Sequence, residues 1–413
     1  MDNVERQLLN CLSSYRIGRK QAAFAGLKQE EWPKLYQVAK VHKLGAVVHE
    51  TLRSLPEFCA GNASLAVSWQ METIVAAAGQ TRRTNGLLRI TKALEQGGIA
   101  YAVVKGAVCR ELYDQPDLRP SGDEDILIAA SQQEACADIL RKVGLEQLEA
   151  KDGEPVTPWI DRLTGLHIEL HTALMPGRQA AERQLNRYFS EQLDCTIAVP
   201  VQEGIVQTLP PTAHFLFLVC HAVKHFLAGG VGIRTISDIL PFAERYDAQI
   251  DKDAIYSGLE NAKGRIFFDQ LLAIGQEYLG FDLPGSGWAF SAPPDPEEML
   301  KDILDAGIYG QSSMSRRHSG ALVLRAAEEG ETRPNLLRAA FPPIEQLVGR
   351  YRILQKHPAL LPIVWIRRMG SYGLELLRSP GKDNSLRDSL ALGRRRTQMM
   401  IRYGIISRNQ KED

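Results

Sequence analysis

The chain has 413 residues, more than one compact core usually holds, so two or three domains are expected. Hydrophobic residues make up 44% and charged residues 24%, the balance of an ordinary soluble globular protein. Lysine plus arginine and aspartate plus glutamate number 49 each, and the resulting zero net charge excludes a global electrostatic pull toward nucleic acid.

The N-terminal run MDNVERQLLNCLSSYRIGRK carries acidic residues early and has no apolar core segment, so no signal peptide is expected. No stretch of 18 uncharged apolar residues occurs, so no transmembrane helix is expected either, and a cytoplasmic location is the default. Cys11, Cys59, Cys109, Cys136, Cys195 and Cys220 form no CxxC or similar metal pair and read as reduced, buried thiols.

Residues 1–97 read as an N-terminal helical region. Leu8, Leu9 and Leu12, then Leu35, Val38 and Ala39, then Val47, Val48 and Leu52 recur at helical intervals, and Ser64–Ala93 is expected to be one long helix interrupted near Gly79 or Gly86. Residues 98–200 read as an α/β core. Ile99–Val104 is a short β-forming run bounded by glycines, a helix follows Lys105-Gly106-Ala107, and Asp123–Ile128 is a second strand. Glu134–Val143 is an amphipathic helix and His167–His171 a third strand. Residues 201–284 are helical again, with helices over Thr212–Ala228, Thr235–Tyr246 and 253–279. Gly285–Pro296 is a linker, and 297–413 form a C-terminal helical region broken at Pro342-Pro343, Pro358, Pro362 and Pro380-Gly381, ending in a basic tail.

Asp123-Glu124-Asp125 is the segment with chemistry. Alternation along a strand points Asp123 and Asp125 the same way, and two neighbouring carboxylates are relieved by a hard divalent cation such as Mg²⁺. Alone, the same pattern also describes a solvated strand end. In HIELH, His167, Glu169 and His171 share the polar face while Ile168 and Leu170 face the core, so Glu169 is a candidate third carboxylate or simply part of an exposed face. A glycine after a strand, opening a helix, admits a phosphate to the backbone, and Lys105 adds a cation there; a plain strand-to-helix turn with a surface lysine is the other reading.

The run VVKGAVCRELYDQPDLRPSGDEDILI resembles the uncharacterised nucleotidyltransferase family of bacteria, a branch of the polymerase-β superfamily. The resemblance rests on Lys105-Gly106, Leu112-Tyr113, Arg119 and Asp123/Asp125. It extends through IELH, FLFLVCHAVKH and FPPIEQLVGRYRILQKHPALLPIVWIRRM, so it covers most of the chain from about residue 95. It implies an α+β fold, a small mixed sheet of the polymerase-β nucleotidyltransferase type surrounded by N- and C-terminal helical regions. It also implies an enzyme that transfers a nucleoside monophosphate from an NTP to a hydroxyl-type acceptor. Asp123, Asp125 and Glu169 would bind Mg²⁺ or Mn²⁺ and carry catalysis, and Lys105, Gly106, Ala107, Arg119 and Lys224 would hold the nucleotide. Ala107 stands where the family has a serine, and Glu124 where an aliphatic residue is expected on the core face; Glu124 there would need a strand end or a basic partner. The alternative is a non-catalytic nucleotide-binding or interaction protein on the same fold.

On helix Thr212–Ala228, His214, His221, Lys224 and His225 form a polar stripe opposite Phe215, Leu216, Val219 and Val223. The stripe reads either as the lining of the nucleotide or acceptor pocket or as a polar seam between helices. His171, His221, His225 and Asp238 are pocket candidates, Arg234 and Asp238 alternatively an ion pair, and His221 with His225 has the spacing of a zinc pair. From Arg367 to Asp413 there are eleven Lys/Arg against five Asp/Glu, including Arg394-Arg395-Arg396. That excess suits weak contact with nucleic acid or anionic membrane, although a solvated basic helix accounts for it equally.

Overall fold

The computed structural model describes residues 1–16, 26–150, 155–291, 294–307 and 386–406, together with 341, 344, 347, 351, 353–367 and 370. The chain divides into two compact units, Met1–Val223 with Gly232–Ile308, and Lys224–Val231 with Tyr309–Asp413.

The first unit begins with helices α1 (Asn3–Arg16), α2 (Trp32–Val41), α3 (Gly45–Leu52) and α4 (Pro56–Gly61), whose apolar stripes supply Leu8, Leu35, Val48 and Phe58 to a core. Helix α5 (Ala63–Gln96) joins it through Trp69, whose indole N–H donates to the Gly45 carbonyl at 2.8 Å. The expected interruption of this helix does not occur. Gly86 is instead where the helix approaches the β4–β5 turn closely, since a Cβ there would lie 2.7 Å from Thr164 Oγ1. A single glycine costs a helix only about 1 kcal/mol, which tertiary packing outweighs.

The sheet has five strands, β1 (Tyr101–Val104), β2 (Asp123–Ile128), β3 (Glu146–Gln147), β4 (Val156–Asp161) and β5 (Leu166–His171), in the order β1-β2-β5-β4-β3. β2 and β5 run parallel and every other pair is antiparallel. This is an α+β fold with a small mixed sheet. Strand β4 escaped the sequence pattern because Pro158 interrupts it; the proline still fits, since its carbonyl accepts from Leu148 N–H at 2.9 Å just past the end of β3, and the missing N–H faces that same side rather than β5. Register places Asp125 beside Glu169 and Glu124 beside Ile168, so the two faces separate cleanly. Helix α5 covers the Glu124 face, where Arg89 reaches Asp161 at 2.8 Å. Asp123, Asp125, Glu169 and His171 lie on the other.

Helices α6 (Gly106–Arg110) and α7 (Gln133–Lys142) lie between the first three strands; a β6–β7 hairpin (Ile197–Val201, Gly204–Thr208) follows helix α8 (Ala180–Glu191) and was not expected from the sequence. Then come α9 (Pro211–Ala228), α10 (Ile233–Arg245), α11 (Lys252–Asn261), α12 (Arg265–Tyr278) and α13 (Pro296–Ala306). Phe215, Leu216, Val219 and Val223 are buried, but so are His214, Phe217, Leu218 and Cys220, so α9 is enclosed nearly all round here. All six cysteines are free thiols; Cys59 and Cys195 are exposed rather than buried.

His42, fully buried, ties α2 to α10 and α13: Ile233 N–H donates to Nδ1 at 3.4 Å, and Nε2 lies 3.2 Å from the Leu304 carbonyl. Nδ1 must accept, so the neutral ring with its proton on Nε2 is the form that fits. Burial pushes its pKa from 6.5 down to about 4. The unfolded chain therefore binds the extra proton first. The stability contributed by His42 is complete above pH 6.5 and is lost as pH falls toward 4, by about 2 kcal/mol at pH 5. Urea titrations between pH 7 and 5 are expected to show this loss, and a His42→Gln variant to show a shallower pH dependence. An equal slope in the two proteins would remove His42 as the cause.

In the second unit, Leu386–Arg402 is a helix. Arg394 and Arg395 are exposed, but Arg396 is not part of a solvated basic face. Its buried guanidinium lies 5.7 Å over the Phe226 ring and donates to the Phe226 carbonyl, an aromatic and carbonyl setting suited to a weakly hydrated cation. Pro342-Pro343 and Pro380-Gly381 lie outside the described residues. Among the described residues, no helix is long and apolar enough to cross a membrane.

Candidate active site

The site forms where β1 ends beside β2. Lys105 leaves β1 with φ 58° and ψ −125°, an unfavourable backbone for a side chain larger than glycine, and Gly106 follows at φ 24°. Two buried groups hold this turn. Lys105 N–H donates to His214 Nε2 at 3.0 Å, and Ala107 N–H donates to Glu124 Oε2 at 2.7 Å. Because His214 Nε2 accepts, its proton sits on Nδ1, 3.0 Å from Thr208 Oγ1; the Thr208 hydroxyl in turn donates to the Val103 carbonyl at 2.6 Å. Burial, then Lys105, push the His214 pKa down to about 3, which keeps the ring neutral as this chain of bonds requires.

Glu124 is buried and paired with Arg110 at 2.5 Å, the basic partner its core position requires. A Cβ on Gly106 would lie 1.9 Å from Glu124 Oε2. The glycine is thus required by an internal carboxylate seated at the start of α6 (Gly106–Arg110), where the sequence suggested a phosphate. Arg119 is buried against Asp238 of α10 at 2.6 Å and reaches the Gly106 carbonyl at 3.5 Å; Tyr113 also donates to Asp238, at 3.0 Å. Arg119 therefore braces the turn from behind. Arg234 donates to the Pro120 carbonyl at 2.9 Å.

On the open face, Asp125 is 2% exposed and bonded on both oxygens. Lys105 Nζ lies 2.8 Å from Oδ2, and His171 Nε2 lies 2.8 Å from Oδ1. His171 Nε2 is also 3.5 Å from Glu169 Oε2, and Lys105 Nζ is 3.2 Å from His221 Nε2. Burial alone would raise the Asp125 pKa; the Lys105 charge and the His171 hydrogen bond outweigh it and hold the carboxyl well below the usual carboxylate range. His171 is raised: burial acts downward, but its bonds to Asp125 and Glu169 prevail. The bond from His171 lowers Glu169. Asp123 moves the other way, raised by burial and then by the neighbouring Asp125 charge.

Asp125 and Glu169 thus come together as strand alternation suggested, Lys105 joins them from the turn after β1, and His171, singled out only as a pocket candidate, lies at their centre. Among the described residues, the group of acidic and histidine donors that could hold a metal ion is Asp125, Glu169 and His171, with one ligand atom from each within 4.8 Å of the others. Asp123 is on the same strand face but outside that group. Hard oxygens and an imidazole are a fitting donor set for a divalent cation. His214 and His221 face Lys105, while Lys224, exposed, and His225 belong to the second unit. Arg110 as the partner of Glu124 and His214 as the acceptor of the Lys105 amide were not foreseen; His214 comes from a helix 109 residues further along the chain.

The chain matches the model of a family described as an uncharacterised nucleotidyltransferase over residues 28–280, more than half its length. Among curated proteins, none matches it.

Proposed function

Because the chain belongs to the uncharacterised nucleotidyltransferase family, we propose that it is a divalent-metal-dependent enzyme that transfers a nucleoside monophosphate from an NTP to a hydroxyl-type acceptor, on a sheet of the polymerase-β type. The observation that carries this reading is the meeting of Asp125, Glu169 and His171 beside Lys105 on one sheet face. These residues would hold the cation, with Asp123 beside them. When bound, a divalent cation supplies positive charge against the triphosphate.

In the proposed reaction the acceptor oxygen forms a bond to the α-phosphorus, the bond from that phosphorus to the bridging oxygen breaks, and pyrophosphate leaves. The acceptor proton passes to Asp123, the carboxylate of this face that lies outside the Asp125, Glu169 and His171 group. Lys105 orients the Asp125 carboxylate and offers charge to the phosphates. The turn that carries Lys105 is fixed by His214 and Glu124 and needs little rearrangement on binding.

One observation favours a non-catalytic binder. Glu124 already satisfies the Ala107 N–H at the start of α6, so that amide is not available to a phosphate. Pyrophosphate release from each of the four NTPs, with Mg²⁺ or Mn²⁺ and a panel of small hydroxyl acceptors, separates the two readings. Release that is abolished by chelation supports the transferase. Metal-dependent NTP binding without any release supports the binder.

A further inference from the structure

The brace behind the catalytic turn ends at Tyr113, and Tyr113 lines a cavity that the transferase reading does not use. The cavity holds about 480 Å³, within the range of roughly 300–1,000 Å³ typical of small-molecule sites. Helices α1, α3 and α10 enclose it, with residues 111–114 and the chain just past α12. Lys105, Asp123, Asp125, Glu169 and His171 are not among the described residues that line it. We infer that this cavity is a second binding site, for a small organic cation: an ammonium group on an apolar body. The inference does not depend on the transferase reading.

Aromatic rings are the first argument. Tyr15 of α1 and Tyr113 meet in the cavity wall, with ring centroids 6.2 Å apart and planes inclined at 47°. Two rings set at an angle form part of a cage, and the face of an aromatic ring attracts an ammonium group. Leu12, Val47 and Leu112 in the same wall suit the apolar body of such a ligand.

Charge points the same way. The wall sets Glu111, Asp114 and Glu244 against Arg16 and Arg245. Arg16 is already satisfied. Its Nη1 donates to both Glu244 oxygens at 3.0 and 3.1 Å, its other nitrogens to the Leu279 and Gly280 carbonyls, and the guanidinium lies 4.2 Å over the Phe281 ring. With that pair cancelled, two carboxylates face one guanidinium. One oxygen of Glu111 is also buried without a hydrogen-bond partner, so a cation nearby would compensate it.

Acceptors outnumber donors as well. Pro241 lacks the N–H that a helix would give to the Ser237 carbonyl, and both residues line the cavity. The Tyr113 proton is committed to Asp238 at 3.0 Å. A ligand that brings N–H donors and positive charge meets these groups; an anion would meet the carboxylates.

A ligand-detected NMR titration of the full chain with benzylamine, without metal or nucleotide, tests this. Saturable binding is expected, with benzoate and the neutral benzyl methyl ether each binding at least about tenfold more weakly. Tyr15→Leu is expected to weaken benzylamine at least about threefold. Asp114→Asn, at an exposed position, is expected to weaken it about two- to fivefold. Asp125→Asn is expected to bind it as the wild type does, because the carboxylates of the catalytic face are not its seat. The inference is overturned by any of four results: no saturable binding, benzoate or the ether binding as tightly, no change in Tyr15→Leu and Asp114→Asn, or loss of binding in Asp125→Asn. Should Tyr15→Leu not fold, Asp114→Asn and the comparison of the three probes still decide.

Discussion

Replacing Arg110 with methionine is expected to lower the free energy of unfolding by about 3–5 kcal/mol. Arg110 and Glu124 are each about 1% exposed, and the guanidinium also donates to Thr84 of α5 at 3.1 Å. Methionine fills much of the arginine volume but leaves the Glu124 carboxyl buried with only the Ala107 N–H to bond it. The cost is therefore that of an uncompensated charge rather than of a lost attraction. The double variant Arg110→Met with Glu124→Leu removes both charges, and part of the loss is expected to return. Urea denaturation of the single and double variants measures the two quantities. A loss below about 1 kcal/mol in the single variant would mean that water reaches Glu124 and that the pair does not hold the turn.

Asp125→Asn is expected to weaken metal-dependent nucleotide binding by about 2–3 kcal/mol, roughly 30- to 150-fold in affinity. The substitution keeps the volume and removes the charge. Asp125 is the residue on which Lys105 and His171 converge, so the amide loses its Coulombic hold on Lys105 as well as one anionic ligand. Calorimetry with an NTP and either Mg²⁺ or Mn²⁺ reads the change, with His221→Gln as a comparison that leaves Asp125 intact. Unchanged affinity in Asp125→Asn would place nucleotide binding elsewhere on the molecule.

What the sequence determined by itself was local. Alternation set Asp123 with Asp125 on one face of DEDILI and Glu169 with His171 on one face of HIELH, because a strand turns its side chains by half a revolution per residue whatever surrounds it; the parallel register of β2 and β5 made the two faces one. Helical periodicity put Phe215, Leu216, Val219 and Val223 inward on α9, but packing buries His214, Phe217, Leu218 and Cys220 as well, so the expected polar side is not a solvent face there. The position of Glu124 on the core face already demanded either a strand end or a basic partner. Which base answers that demand was decided by tertiary structure, since Arg110 meets Glu124 only when α6 folds back over β2. The same holds for His214, which reaches the Lys105 amide from a helix more than a hundred residues away. Strand β4 was hidden by Pro158, and the freedom of Gly86 to sit inside an unbroken helix depends on a sheet that the helix does not encode. Periodicity reports the neighbours along the chain; the partners of a buried charge or a strained turn come from across it, and only packing brings them together.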